Sequence, residues 1–350
     1  MPIRLLALRA NGERTLVIMS YAEGLGNGGA IDEYNLNYFI RVALSGNVPG
    51  TVDEKKRVDY LIVVSGDSCT PCDTTLAKLI KHAPSHSLPH VHVIYKANHG
   101  MDFGAYHTAI KYVQSYKNNY YKYFVFLNSS LRGPFMPKWT PAEVHFTDTL
   151  TNFMRRDSRV KLVSAYVSCL HAPEPQPGPV AESLFFAVDD EALRWLVLDG
   201  VIDEGKSDKE QTILNGEYQI MRSVLDRGFK AENLLARYKI GLDWNDKRHH
   251  KCNDGRHSSR RGALEGGITV NPFETVFVKT TWCVRDAEVG IMSKWFIKLS
   301  EGFFGTEGTF DEQGWQRGIS IEGTSGKSGT LVPDIPTSGC AHGDLRGLMI

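Results

Sequence analysis

The sequence predicts an α/β fold, a mostly parallel sheet flanked by helices within a single large domain. Two observations lead there. Short apolar runs rich in β-branched and aromatic residues alternate with segments of helical spacing, the pattern of a parallel sheet covered on both faces. Several of these runs also stop abruptly in small polar side chains, and open α/β sheets place their ligands at such strand ends.

In chain order, Thr15 to Tyr21 (TLVIMSY) is the first strand, and Asn35 to Ala43 has the apolar spacing of a helix. Gly24 to Gly29 and the polar stretch Gly46 to Lys55 are connections, and Asp59 to Ser65 is the second strand. Val91 to Tyr95 is the third, and it runs into the polar glycine loop NHGMDFGAY from Asn98 to Tyr106. From Ala105 to Tyr116 the spacing of Tyr106, Ile110, Val113 and Tyr116 predicts a helix. Tyr123 to Leu127 is a central strand, with Asn128, Ser129 and Ser130 at its carboxyl end and Arg132 and Gly133 just beyond. Lys161 to Val167 and Ser183 to Val188 continue the sheet across a proline-rich loop, which is extended because proline cannot sit inside a helix. Glu191 to Leu198 and Glu210 to Arg227 are helices, the second closed by Gly228 in the C-cap position. A basic, histidine-bearing loop from Lys247 to Arg261 precedes Asn271 to Lys279, and the Gly/Ser/Thr-rich stretch from Gly302 has weak periodicity. The expected organisation is an N-terminal extension over 1–14, the domain over 15–290 and a loosely ordered tail over 291–350.

Composition narrows the function classes. The 350 residues, 42% hydrophobic and 23% charged, suffice for a sizeable core. With 40 basic and 40 acidic residues, nothing marks a nucleic-acid footprint, so no nucleic-acid partner is expected. No apolar run approaches the ~18 residues of a membrane span, which predicts a soluble, cytoplasmic or membrane-peripheral protein with no transmembrane segment. Six scattered cysteines do not read as a disulfide framework and fit a reducing compartment.

The chemistry-bearing residues cluster at two strand ends. Gly100 and Gly104 permit positive φ or close backbone approach, while Asn98 and Asp102 supply an amide and a carboxylate suited to sugar or base hydroxyls. Neither loop is a P-loop or a G-x-G-x-x-G turn. A plain strand and turn remains the alternative for YFVFLNSSLRGP, since Asn, Ser, Gly and Pro are ordinary turn residues. A rival from another reaction class is Cys69-Thr-Pro-Cys72, which follows a strand and opens a helix as a thioredoxin-like motif would. A zinc set of His249, His250, Cys252 and His257 has no regular ligand spacing.

The order strand, N-x-G-x-D-x-G, helix, strand, LNSSLRGP resembles the nucleotide-sugar-binding half of GT-A glycosyltransferases, most closely their rhamnan-synthesis, family-2-like branch. Tyr21 and Glu23 match its Tyr-x-Glu. Asn35, Leu36 and Phe39 match its Asn-Leu-x-x-Phe, and Pro272, Glu274, Phe277 and Lys279 its Pro-x-Glu-x-x-Phe-x-Lys. The resemblance implies a sugar transferase using a nucleotide sugar, rhamnose by analogy, and a glycan or other hydroxyl acceptor; a eukaryotic member would work in the Golgi lumen. Such enzymes place Asp-x-Asp at this strand end to hold Mn²⁺ or Mg²⁺ on the donor diphosphate, and Asn128 and Ser130 stand there instead. Neutral ligands hold these cations weakly, so Arg132 or the cluster Lys247, Arg248, His249 and His250 is the expected source of positive charge. The resemblance also implies Glu217 as the base of an inverting transfer, with Glu210 and Asp208 as fallbacks. Asp67 is expected near the nucleobase or ribose; Trp139, Phe135 and Trp244 are candidate acceptor platforms, and His249 and Glu274 further candidates. A sugar-binding protein without turnover is the third reading, supported by the missing Asp-x-Asp.

Overall fold

The computed structural model describes residues 13–24, 30–46, 48–51, 57–82, 90–115, 121–170, 178–204, 206, 208–252, 255–260, 270–280 and 286–300. The expected extension up to residue 12, the glycine run 25–29, most of the proline-rich loop (171–177) and the stretch 301–350 lie outside the described residues. In order, β1 (Thr15–Tyr21), α1 (Ala30–Ala43), β2 (Val58–Ser65), α2 (Ala77–His82), β3 (His90–Lys96), α3 (Met101–Ser115), β4 (Tyr123–Asn128) and β5 (Leu131–Arg132) form the first half. There follow α4 (Asp148–Arg156), β6 (Val160–Ser164), β7 (Val167–Leu170), β8 (Gly178–Ala181), β9 (Phe185–Asp189) and α5 (Asp190–Leu198). The last elements are α6 (Lys209–Thr212), α7 (Tyr218–Leu225), β10 (Lys230–Asn233), α8 (Pro272–Thr275), β11 (Val278–Lys279) and α9 (Asp286–Ser300).

The central sheet has seven strands in the order β10-β6-β9-β4-β1-β2-β3. Its two faces follow from strand alternation. Val17, Met19, Tyr21, Tyr60, Ile62, Val64, Val125 and Leu127 pack with Leu36, Phe39, Ile40 and Ala43 of α1. Leu16, Ile18, Leu61, Val63, Phe124 and Phe126 pack with Phe103, Tyr106, Ala109 and Ile110 of α3 on the opposite face. Both helices show the i, i+3, i+4, i+7 spacing of a one-sided apolar stripe. Ser20 and Asn128 carry the α3-side alternation one step further, to the sheet's carboxyl edge.

Parallel pairing runs through β3-β2-β1-β4 and β6-β10, while β9 runs antiparallel to both β4 and β6. The expected continuation of the sheet through Lys161–Val167 and Ser183–Val188 is therefore corrected in two ways. Strand β6 ends at Ser164, and β7 pairs with β8 as a separate antiparallel hairpin. Among the described residues no helix carries the chain back across the sheet between β6 and β9. The chain re-enters from the edge it left and must run in reverse. Part of the proline-rich loop is itself strand β8, which suits proline at a sheet edge.

Local signals hold the remaining elements. Asp189 accepts from the Ala192 N–H at 2.9 Å to cap α5, Asp208 from Gln211 at 2.8 Å to cap α6, and Asn271 from Phe273 at 2.9 Å to cap α8. Gly228, at φ +76°, closes α7 as expected. Helix α9 packs through Val289 and Phe296 on Tyr38, Val42 and Phe135, so ordered structure crosses the expected boundary at residue 290. Cysteine pairing corrects a further expectation: Cys69–Cys72 and Cys169–Cys252 are disulfides, a chemistry that persists in oxidising compartments. No helix among the described residues is long and apolar enough to cross a membrane.

Candidate active site

Strand order reverses direction between β1 and β4, a topological switch point, and ligands of open α/β sheets bind outside the strand ends there. Ser20 and Asn128 lie side by side in register at this point. Above them, α3 starts one turn earlier than its spacing predicts, which places Asp102 and Gly104 inside the helix rather than in the loop. Gly100 (φ +73°) and Met101 (φ +48°) turn the chain sharply into the helix. A Cβ on Gly104 would stand 2.9 Å from the His99 carbonyl oxygen, so only glycine lets the first turn settle against the loop. Asp102 then reaches the sheet edge: Ser20 Oγ donates to Oδ1 at 2.8 Å and Asn128 Nδ2 to Oδ2 at 3.1 Å. Burial raises the Asp102 pKa against the lowering effect of these two bonds; the Glu217 charge raises it further and Lys279 opposes.

Glu217 comes from the other side. The expected helix Glu210–Arg227 is continuous, but its middle, Ile213–Glu217, is a π turn, so Glu217 ends a bulge rather than opening a helix. Such bulges recur at functional sites because the extra residue re-aims a side chain. A Cβ on Gly216 would meet the Phe103 ring at 3.1 Å, so the glycine brings this helix close to the first turn of α3. The Glu217 Oε2 accepts from Ser183 N–H at 3.1 Å and Ser183 Oγ at 2.6 Å, just ahead of β9.

A charged wall completes the site. Glu182 is 1% exposed, accepts from Ser168 Oγ at 2.7 Å and Ser259 N–H at 3.2 Å, and also bonds Ser259 Oγ. His257 Nδ1 lies 3.6 Å from its Oε2, with 28% of the ring side chain exposed. Burial pushes Glu182 up, but His257, Lys279 and Ser259 outweigh it and hold it at about 2. The reciprocal pull of Glu182, with Glu217 adding to it, raises His257 despite burial. Lys279, in β11 opposite Leu131, is lowered by burial while Glu182, Glu217 and Asp102 all act to keep it charged. Asp102, Glu182, Glu217, His257 and Lys279 are thus linked by the electrostatic influence each has on others of the set.

Of the residues singled out from sequence, Asp102, Asn128 and Ser130 are hydrogen-bonded together at the strand tips beside Gly100 and Gly104, and Glu217, bonded to Ser183, acts on Asp102 as a like charge. Tyr21 is core beneath the edge; Asn98 and Asp67 are exposed on the loops after β3 and β2. Glu23 accepts from the Thr70 N–H at 2.7 Å and so tethers the loop after β1 to the Cys69–Cys72 turn. Several expectations are corrected. Arg132, 3% exposed, turns under α1, where its Nε donates to Asn35 Oδ1 at 3.0 Å and its guanidinium stacks 4.2 Å from the Tyr34 ring centre. Trp244 and Phe135 are buried and present no acceptor platform, whereas Trp139 is 82% exposed. His249 belongs to a short turn in which Asp246 pairs Arg248, and Glu274 accepts from the Ala236 N–H at 2.6 Å. The zinc set dissolves because Cys252 is in a disulfide and His250 Nε2 bonds the Trp244 carbonyl at 2.9 Å. Cys69 and Cys72 of the thiol rival are joined in a disulfide, with Cys69 fully buried and Cys72 7% exposed.

A divalent cation does not fit the Asn128–Ser130 position. Asn128 spends its Nδ2 on Asp102, and its Oδ1 accepts from Ser130 N–H at 3.2 Å and Ser130 Oγ at 2.6 Å. Among the described residues no group of three or more His, Cys, Asp or Glu side chains is arranged to hold an ion. Sequence reasoning missed Ser20, Glu182 and Ser183, took His257 only as part of a zinc set, and met Lys279 only inside a motif. For Ser20 a signal existed, a lone hydroxyl at a buried strand's end; the others share the site only through folding. A polar depression of about 600 Å³ beside Asp199, Asn215, Arg222 and Asp226 contains none of these residues.

A scan against family models and a search of curated proteins returned no match. Among solved structures, the chain is similar to a mannosyltransferase from Pyrobaculum calidifontis in complex with GDP-Man and Mn²⁺, at 13% identity and TM-score 0.39, covering 88% of this chain and 79% of that one. A cytidylyltransferase from Leptospira borgpetersenii matches at 12% and 0.36, over 66% and 78%. A glycosyltransferase of Streptococcus pneumoniae matches at 12% and 0.32, over 65% and 47%.

Proposed function

We propose, from the geometry of the strand tips, that the protein transfers a sugar from a nucleotide-sugar donor to a hydroxyl of a glycan or other acceptor. The carrying observation is the placement of Asp102, anchored on Ser20 and Asn128 at the β1–β4 switch point, where the Glu217 carboxylate acts on it as a like charge. In this reading Asp102 and Asn128 hold donor hydroxyls. Glu217 takes the proton of the acceptor hydroxyl as that oxygen bonds to the anomeric carbon, and the nucleoside diphosphate leaves with the bonding pair. Attack opposite the leaving group inverts the configuration. A hexose or deoxyhexose is transferred, rhamnose on the family resemblance.

The two disulfides support an oxidising lumen over the cytoplasm. One observation favours a second reading, a sugar-binding protein without turnover: Asn128 and Ser130 occupy a position where carboxylates would hold a metal. A panel of nucleotide sugars separates the two. Transfer predicts a higher melting temperature with the correct donor and release of nucleoside diphosphate by wild type. Stabilisation without release by any acceptor-supplemented mixture supports the binding reading, and no stabilisation by any donor removes both.

A further inference from the structure

The site faces a problem of charge. Asp102, Glu182 and Glu217 line the region where a donor would carry a diphosphate, and the Asn128–Ser130 position does not suit a metal ion. Cations must therefore come from the chain; of the two expected sources, Arg132 is buried under α1, and in the basic cluster Arg248 pairs with Asp246 while His250 bonds the Trp244 carbonyl.

Two other cations reach the region. Lys279 is carried on a segment held in a costly conformation. Val276 has φ +67° and ψ −37°, a γ-turn closed by the Phe277 N–H donating to the Thr275 carbonyl at 2.7 Å, and a β-branched residue takes such a φ only under constraint. The constraint is visible. Tyr166 and Thr275 hydroxyls both donate to the Phe277 carbonyl, at 2.7 and 2.9 Å, and lie 3.0 Å from each other. Beyond the turn, β11 pairs with β5 and the Thr280 N–H donates to the Ser130 carbonyl at 2.9 Å, which sets Lys279 beside the Asn128–Ser130 tip. Strain kept where a charged side chain is delivered is a mark of function. His257 is delivered by a second lock: Glu182 holds its Nδ1 side, while Ser258 and Ser259 of the same loop tie back to Ser168 and Glu182. The disulfide Cys169–Cys252 staples that loop to β7.

We infer that Lys279 and His257 form a built-in cation pair that binds the diphosphate of the donor in place of a divalent metal. This rests on the transferase reading. Burial opposes the protonated form of His257, the charges of Glu182 and Glu217 favour it, and that of Lys279 opposes it.

The test is calorimetric titration of the full chain with inorganic pyrophosphate in EDTA. Wild type binds; Lys279→Met weakens binding tenfold or more, Lys279→Arg recovers most of it, and His257→Gln weakens it several-fold. The wild-type affinity declines as pH rises through the raised His257 pKa, more steeply than that of His257→Gln. Should Lys279→Met fail to fold by circular dichroism, Lys279→Arg and the pH comparison decide. Binding only with added Mn²⁺, unchanged affinity in Lys279→Met, or orthophosphate binding as tightly as pyrophosphate overturns the pair. Pyrophosphate binding as expected with no nucleotide sugar consumed removes the transferase reading alone. Turnover that needs Mn²⁺ and ignores Lys279→Met removes the pair alone.

Discussion

On the β1–β4 side of the site, Ser20, Asp102, Asn128 and Ser130 come from strand tips and the helix turn above them, and they spend their polar groups on one another at 2.6–3.2 Å. On the β9–β11 side, Glu182, Glu217, His257 and Lys279 come from separate segments and act on each other as charges. The first wall is a fixed hydrogen-bonding surface whose shape follows from backbone register. The second is a balance of charge that exists only while loops, a disulfide and a π turn hold it together. Recognition belongs to the first wall in this account and proton and charge handling to the second.

The sharpest way to break that division is Glu217→Gln. It leaves donor binding intact and lowers turnover about 10²–10⁴-fold, the usual worth of a positioned base; full activity removes the assignment. Next comes the staple behind the charged wall. Cys169→Ser with Cys252→Ser opens a link across 83 residues and lowers unfolding free energy by about 2–5 kcal/mol, whereas the Cys69→Ser/Cys72→Ser pair, closing three residues, costs far less. Equal losses in denaturant melts would contradict the account. A thiol oxidoreductase, by contrast, would lose all activity in Cys69→Ser.

Asn35→Ala probes the support of the polar wall. The Asn35 amide is buried and donates to the Ser129 carbonyl and Thr280 Oγ1, both at 2.8 Å, while its oxygen accepts from Arg132. Removing it strands these groups and costs about 1–3 kcal/mol, read as a lower denaturation midpoint. Titration distinguishes the walls further. Glu182 is held near 2, so its contribution to stability is present above the ordinary carboxyl pKa and lost as pH falls from about 4.5 toward 2. His257 is raised, so its contribution is complete below 6.5 and fades as pH climbs through the higher folded value. Melting temperatures of wild type and His257→Gln should converge at alkaline pH; a constant gap would mean the pair is not ionic. Trp139→Ala is the smallest change, within about 0.5 kcal/mol in stability because the ring is exposed, and a rise in acceptor KM would place it at the acceptor entrance.

The same contrast explains what could be read from the sequence. The β1–β4 wall was legible because its parts are contiguous: an apolar strand ending in Asn128 and Ser130, and Asp102 between two glycines ahead of a helix. Strand direction was not. The reversal of β9 depends on the β7–β8 hairpin, whose proline-rich run reads only as extended loop. Arg132 was misjudged because a cation next to a strand end says nothing about which way it turns, and Asn35, its partner, lies 97 residues away. Glu182 and His257 carry no local mark, since a carboxylate and an imidazole 75 residues apart become a pair only through tertiary structure. Lys279 was visible as a motif position, but its strained approach through Val276 is a property of backbone angles that composition does not reveal.

The most direct measurement is a crystal of the Glu217→Gln chain soaked with whichever nucleotide sugar raises its melting temperature most. The account predicts density at the carboxyl ends of β1 and β4, with the sugar against Asp102 and Asn128, its anomeric carbon facing residue 217 and the diphosphate toward Lys279. Density lodged instead in the depression beside Asp199 and Arg222, or none at the strand tips at saturating ligand, would contradict it.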